Sequence, residues 1–190
     1  MARDLGDPPM TTKADFSADE WDALRRGLVA GEEAGRAAAP SGWFNRFKES
    51  RALKREWKSI VERYGHTLLA QDLIGAEGEA PIESVKLEQE EVGPFIDKSI
   101  AACKAAAAIM AKADPRDAEL YADVAIELAE TAAVAAQERG QGMLVSPAEA
   151  VVLRRVAHAF GRSEYEPPKD QDPRGSANFA QDASRRGQYE

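Results

Sequence analysis

Hydrophobic residues recur every three or four positions along most of this 190-residue chain. Side chains at that spacing share one face of a helix, so the pattern predicts amphipathic helices. Four runs show it most clearly: Leu53, Trp57, Ile60, Tyr64 and Leu68; Ile96, Ile100, Cys103, Ala107 and Met110; Leu120, Val124, Leu128 and Ala135; and Val152, Val156 and Phe160. No stretch alternates as a β-strand does, and we therefore predict an all-α bundle of five or six helices.

Three helix starts are marked by capping residues. Ser17 with Glu20 has the spacing of a capping box, and Ser146 with Glu149 repeats it around a proline. Asp114 precedes Pro115, whose missing N–H costs nothing in the first turn of a helix. Helix ends are predicted near Pro40, Gly75, Gly140 or Gly142, and Gly161.

Alanine is concentrated between residues 99 and 139, where it occurs sixteen times. Small side chains allow helix axes to approach closely. We therefore expect the two helices divided at Asp114 and Pro115 to form a tight hairpin at the centre of the bundle.

The domain limits follow from composition. Residues 15–165 contain the helical pattern, whereas residues 1–14 and 166–190 are rich in polar residues, Gly and Pro. We expect a flexible N-terminal arm and a flexible polar C-terminal tail, since neither buries enough apolar surface to offset its ordering entropy. Phe179 and Tyr189 stand out in the tail as conceivable docking anchors, although isolated aromatics in such tails are usually unstructured.

Charge and composition narrow the functional class. A net charge of −8 argues against general nucleic-acid binding. The N-terminus lacks the apolar core of a secretory signal, and no run approaches the ~20 apolar residues of a membrane span. We expect a cytoplasmic protein without a cofactor. The single cysteine, Cys103, fits a small buried residue better than a reactive thiol.

Charge is strongly segregated in the first half of the chain. Seven Lys and Arg residues face three Glu residues between Gly42 and Arg63, and residues 77–97 are strongly acidic. Cations mixed with aromatics suit an acidic protein groove or an anionic membrane face. We name residues 43–58 the basic-aromatic segment and predict that its partner-binding residues are Trp43, Phe44, Arg46, Phe47, Lys48, Arg51, Lys54, Arg55 and Lys58. The alternatives are aromatics in the core with solvated cations, or pairing with the acidic stretch.

Candidate chemistry is sparse. Neither His66 nor His158 has the partners of a metal or catalytic site, and no nucleophile, base and acid share a recognisable spacing. One acidic ladder falls on a single helix face: Glu119, Asp123, Glu127 and Glu130. It is either a weak divalent-cation site or, as we favour, a solvated face or a face in contact with a basic helix. We therefore predict a non-enzymatic interaction protein that binds a protein partner, a second copy of itself or, peripherally, an anionic membrane.

Two regions carry a family resemblance. The first holds Asp15, Phe16, Ser17, Glu20 and Trp21, followed by Ala39, Pro40, Ser41, Gly42, Phe44, Lys48 and Glu49; the second is VSPAEAVVLRRVAHAFG. They resemble an uncharacterised bacterial all-helical family, and the second is also similar to the last helix of tellurite-resistance TerB-like domains. That resemblance implies an all-helical fold, acidic residues that hold divalent metal ions, and partner proteins at the membrane. It makes a metal-binding stress-response domain the alternative function.

Overall fold

The computed structural model describes residues 11–38, 63, 69, 72–73, 92–135 and 145–168. These residues form four α-helices and no strand: α1 (Ala18–Ala37), α2 (Val92–Met110), α3 (Pro115–Ala135) and α4 (Pro147–Ala159), with a 3-10 turn at Lys13–Asp15. The all-α prediction is confirmed for this part of the chain. A fifth or sixth helix would require residues outside the described ranges.

The predicted capping residues act as expected. The Ser17 hydroxyl accepts the N–H of Glu20 at 3.2 Å, and the Glu20 carboxylate accepts the N–H of Ser17 at 3.0 Å. Ser146 and Glu149 form the same box at the start of α4. The Asp114 carboxylate accepts the N–H of Arg116 at 2.9 Å, which satisfies a backbone donor in the first turn of α3.

Helix α1 lies between α2 and α3, and this corrects the predicted central hairpin. Both alanine-rich helices pack along α1, while they contact each other over a much smaller region. Gly27, Gly31 and Gly35 explain the difference, because four-residue spacing leaves one stripe of α1 without Cβ atoms. A Cβ added to Gly31 would lie 2.9 Å from the carbonyl oxygen of Ala125 in α3. The close helix contact that was predicted from the alanine content therefore forms between α1 and each alanine-rich helix, and not between the two alanine-rich helices.

Contacts along α1 give the directions of its neighbours. The Cys103 thiol of α2 donates a hydrogen bond to the carbonyl oxygen of Gly27 at 3.7 Å, and Lys112 forms an ion pair with Glu20. Helix α2 is therefore antiparallel to α1. Tyr121 lies beside the start of α1 and Ala129 beside its end, so α3 is parallel to it. Helix α4 returns antiparallel to α3, with Phe160 against Tyr121 at a centroid distance of 5.8 Å.

The core consists of two groups of buried side chains. One surrounds the N-terminal half of α1, around Leu24, Leu28 and Leu128; the other joins its C-terminal half to α2 and α4, around Ile100 and Leu153. Leu69 and Leu73 are also buried in the first group, although the predicted apolar stripe ended at Leu68. The interior therefore extends beyond the stripe that spacing identified.

Both predicted domain limits are too narrow. Thr11 is buried, its N–H donates to Asp117 at 3.0 Å, and its hydroxyl accepts the N–H of Asp114 at 2.9 Å. These bonds place residues 11–14 within the domain instead of in the arm. At the other end Pro167 is buried, so residues 166–168 also belong to the domain. The remainder of the predicted arm and tail lies outside the described residues.

Candidate functional site

The basic-aromatic segment itself, with all nine of its predicted binding residues, lies outside the described part of the chain. Its flanks are described. Ala38 caps the C-terminus of α1, and the guanidinium of Arg63 forms an ion pair with Glu127 of α3. Because Gly35 of α1 packs on Ala129 of α3, Ala38 and Glu127 belong to the same end of the bundle. Ala38 and Arg63, the described residues nearest the segment on each side, are therefore attached to one end of the bundle.

We call this end the Ala38 end; it contains the C-terminal ends of α1 and α3 and the N-terminal ends of α2 and α4. The acidic stretch also reaches it, since Asp97 lies near the start of α2. The Asp97 carboxylate accepts a hydrogen bond from Arg155 of α4 at 2.5 Å. The fold thus brings the limits of the two oppositely charged stretches to the same end of the molecule. Pairing between the stretches stays an open alternative to partner binding.

The acidic ladder on α3 is engaged by neighbouring side chains. Arg162 donates to the Asp123 carboxylate at 2.9 Å and to the backbone carbonyl oxygen of Glu119 at 3.4 Å. Glu127 pairs with Arg63, and Glu130 accepts the Tyr165 hydroxyl at 2.5 Å. Asp123 and Glu127 thus contact basic residues, whereas Glu130 contacts a tyrosine and Glu119 is approached at its backbone carbonyl. Within the described ranges no group of three or more His, Cys, Asp or Glu residues could hold a metal ion.

Residues 160–168 form a C-terminal strap along the groove between α3 and α4. Arg162 and Tyr165 bind α3 through the ladder, and the Glu166 carboxylate lies 4.0 Å from the Arg154 guanidinium of α4. Tyr165 also packs against the second core group. The strap was not predicted from the sequence. Four carboxylates on one helix face were nevertheless a signal that a positively charged residue should lie close to them.

Glu130 is a half-buried carboxyl group at the strap. Burial raises its pKa above the ordinary value of 4.5, and the hydrogen bond from Tyr165 partly offsets that rise. Burial likewise raises the pKa of the Tyr165 hydroxyl, so it remains a hydrogen-bond donor at neutral pH. The neutral Tyr165 hydroxyl therefore donates a hydrogen bond to the half-buried Glu130 carboxylate, and this bond anchors the strap to α3.

Other reactive groups of the described chain have structural roles. Cys103 is buried, and burial raises the pKa of its thiol to about 12, so the nucleophilic thiolate is absent at neutral pH. The buried Tyr121 hydroxyl donates to the carbonyl oxygen of Leu24 at 2.6 Å. His158 is exposed, with Nε2 lying 3.2 Å from the carbonyl oxygen of Ser163. His66 falls outside the described residues.

The described part of the chain has two depressions that could in principle receive a small molecule. A small cavity of about 20 Å³ between α1 and α3 is lined by leucines, Tyr121 and Asp117, and has room for about one water molecule. An open groove of about 320 Å³ between α1 and α2 has Asp19, Asp22 and Arg26 on its rim and alanines on its floor. Neither has the convergent polar groups typical of a small-molecule site.

No helix in the described part of the chain is both long and apolar enough to cross a membrane. Comparison of the whole chain with known family models, characterised proteins and solved structures finds no match in any of the three. The site must therefore be interpreted from its own geometry.

Proposed function

We propose that this chain is a non-enzymatic, cytoplasmic interaction protein that docks on an anionic surface through its basic-aromatic segment. The surface belongs to a protein partner, a second copy of the chain, or the inner face of a membrane. The observation that carries the proposal is the concentration of cations and aromatics in residues 43–58 of an otherwise acidic protein. Cations attract an acidic surface, and aromatic side chains add apolar contact area once water is excluded.

The anchoring of the segment supports this proposal. Arg63, the last cation of the basic stretch, is paired with Glu127, and Leu69 and Leu73 are buried in the core just beyond it. The chain is therefore fixed to the bundle on both sides of the segment. Fixing both ends reduces the conformational entropy that ordering on a partner would otherwise cost.

The membrane form of the proposal can be tested with vesicles. Co-sedimentation should be measured on anionic and on neutral vesicles, at low and at high salt. We expect binding to anionic vesicles alone, weakened by salt because exposed charges are screened. The double variant Lys54→Glu/Arg55→Glu should lose that binding. Arg26→Glu/Lys104→Glu changes the net charge equally at exposed positions on α1 and α2, and should retain most of it.

Equal binding to both vesicle types, or equal losses in the two variants, would rule out the membrane form. The protein form is then tested by size-exclusion chromatography with light scattering and by capture from native lysate. A partner, or a second copy, must be retained by the wild type and lost in Lys54→Glu/Arg55→Glu. A monomer that captures nothing, or a capture that is indifferent to the two substitutions, would refute the proposal altogether.

A further inference from the structure

The acidic ladder brings together two parts of the chain that are far apart in the sequence. Arg63, the last cation of the basic stretch, forms an ion pair with Glu127, and the Tyr165 hydroxyl of the strap donates to Glu130 at 2.5 Å. Glu127 and Glu130 are three residues apart on α3, so their side chains are neighbours on one helix face. The contact that follows the basic-aromatic segment and the contact that holds the strap are therefore made on adjacent carboxylates.

These two carboxylates influence each other through their charge. Burial is the largest cause of the raised pKa of Glu130; the hydrogen bond from Tyr165 opposes the rise, and the charge of Glu127 adds to it. A neighbouring anion acts in this way because it disfavours a second negative charge. Arg63 offsets part of the field of Glu127, since a cation in contact with a carboxylate opposes its charge. The repulsion at Glu130 therefore depends on the Arg63 ion pair.

We propose that the acidic ladder couples these two contacts, so that release of Arg63 from Glu127 loosens the strap. Once Arg63 leaves, the full charge of Glu127 repels that of Glu130. The closed strap places Tyr165 against Glu130 and excludes water from one side of it, so the repulsion is stronger with the strap closed than with it open. By linkage, an open strap weakens the Arg63 ion pair by the same factor.

The other charges of the strap have smaller effects. Arg162 would be attracted more strongly once the ladder loses a cation, which is the opposite effect, but the side chains of Arg162 and Asp123 are 36% and 47% exposed. Ion pairs exposed to this extent interact weakly. Glu166 carries a negative charge, but its carboxylate lies 4.0 Å from the Arg154 guanidinium, which offsets it. The half-buried Glu130 therefore sets the direction of the coupling.

Thiol labelling of the full-length chain measures the opening of the strap. Pro167→Cys places a thiol at a buried position of the strap, where a thiol reagent reaches it only after local opening. We expect Arg63→Gln to speed this labelling about twofold, the effect of one like-charged neighbour at this helix spacing. The substitution should have no effect in a chain that also carries Glu127→Gln, because the charge that it uncovers is then absent. Carboxyl NMR should show Glu130 titrating at higher pH in Arg63→Gln than in wild type.

Two controls define the outcomes. Arg116→Gln removes the same charge from an exposed position on α3 that lies about 21 Å along the helix from Glu130, beyond the screening length of about 8 Å, and should leave the labelling unchanged. The buried thiol of Cys103 reports opening of the whole bundle, so its labelling should not follow that of Pro167→Cys.

The proposal is overturned if Arg63→Gln leaves the labelling rate at position 167 unchanged or lowers it, or if its effect persists beside Glu127→Gln. It is also overturned if Arg116→Gln has the same effect, or if Cys103 is labelled faster by the same factor. The coupling requires only that Arg63 can leave Glu127, whatever the basic-aromatic segment binds. It therefore goes beyond the proposed function, and none of these results alters the vesicle test.

Discussion

Two contacts within the bundle are built in opposite ways. Helix α1 meets α2 and α3 through glycines, so that backbone and alanine side chains approach directly. The groove between α3 and α4 is instead bridged by the long side chains of Arg162, Tyr165 and Glu166. The first contact depends on the lack of Cβ atoms at the glycines, and the second depends on long polar side chains. We therefore expect added volume to disrupt the first, and changes of charge or pH to affect the second.

The largest expected effect comes from adding one methyl group to the glycine contact. A Cβ at Gly35 would overlap the backbone carbonyl of Ala129, which cannot rotate away. Gly35→Ala should lower the free energy of unfolding by about 1–3 kcal/mol, although Ala is the better helix former. Urea unfolding monitored by circular dichroism measures it.

Gly93→Ala is the matched control, because Gly93 also lies in a helix but has no atom within 4 Å of an added Cβ. It should leave stability unchanged or raise it by up to about 1 kcal/mol. If both variants behaved alike, close approach would not explain the position of α1.

A matched pair of tyrosines compares the two contacts directly. Tyr121 donates to a backbone carbonyl in the glycine contact, and Tyr165 donates to a carboxylate in the strap. Each Tyr→Phe substitution should cost about 1 kcal/mol at pH 7, the usual net value of such a bond. Only Tyr165→Phe should also change the pH dependence of unfolding, since its partner titrates. Equal pH profiles for both variants would show that the strap does not depend on the charge of Glu130.

The smallest effect concerns Glu130 alone. Its pKa is raised in the folded protein, so the folded state binds more protons than the unfolded state between the ordinary value of 4.5 and the raised one. The contribution of Glu130 to stability therefore increases as pH falls through this window. Glu130→Gln keeps an oxygen acceptor for Tyr165 but cannot titrate.

The corresponding measurement is the difference in unfolding free energy between Glu130→Gln and wild type. We expect the variant to be the more stable at pH 7 and the difference to shrink towards pH 4.5. Glu20 and Asp114 supply an internal check, because hydrogen bonds from Lys112 and Arg116 lower their pKa values. Their contribution is lost at still lower pH, and it should cancel in the difference.

The features that could be predicted from the sequence depend on residues that are close together in the chain. The capping boxes at Ser17 and Ser146 involve residues three positions apart, and both form as expected. Which helices would pair was not predictable from alanine content, because small residues permit close contact without choosing the partner. The glycine spacing of α1 carried that information and would have identified the central helix.

The acidic ladder shows the same limit for the candidate site. Its four carboxylates were found from spacing, and a solvated face or contact with a basic helix was expected. The basic residues that contact it come from remote parts of the chain. Arg63 precedes α3 in the sequence and Arg162 follows it, and only the tertiary structure brings both residues to this helix. The nine predicted binding residues of the basic-aromatic segment stay a prediction, since they lie outside the described ranges.

The return of the chain at Arg63 has a consequence for how the protein could vary. Ala38 and Arg63 are attached to the same end of the bundle, so the two points between which this sequence must connect lie on one side of the scaffold. Long surface insertions between close ends are thermodynamically well tolerated. We therefore expect the glycine-packed scaffold to tolerate changes in the length and charge of the sequence between these two residues.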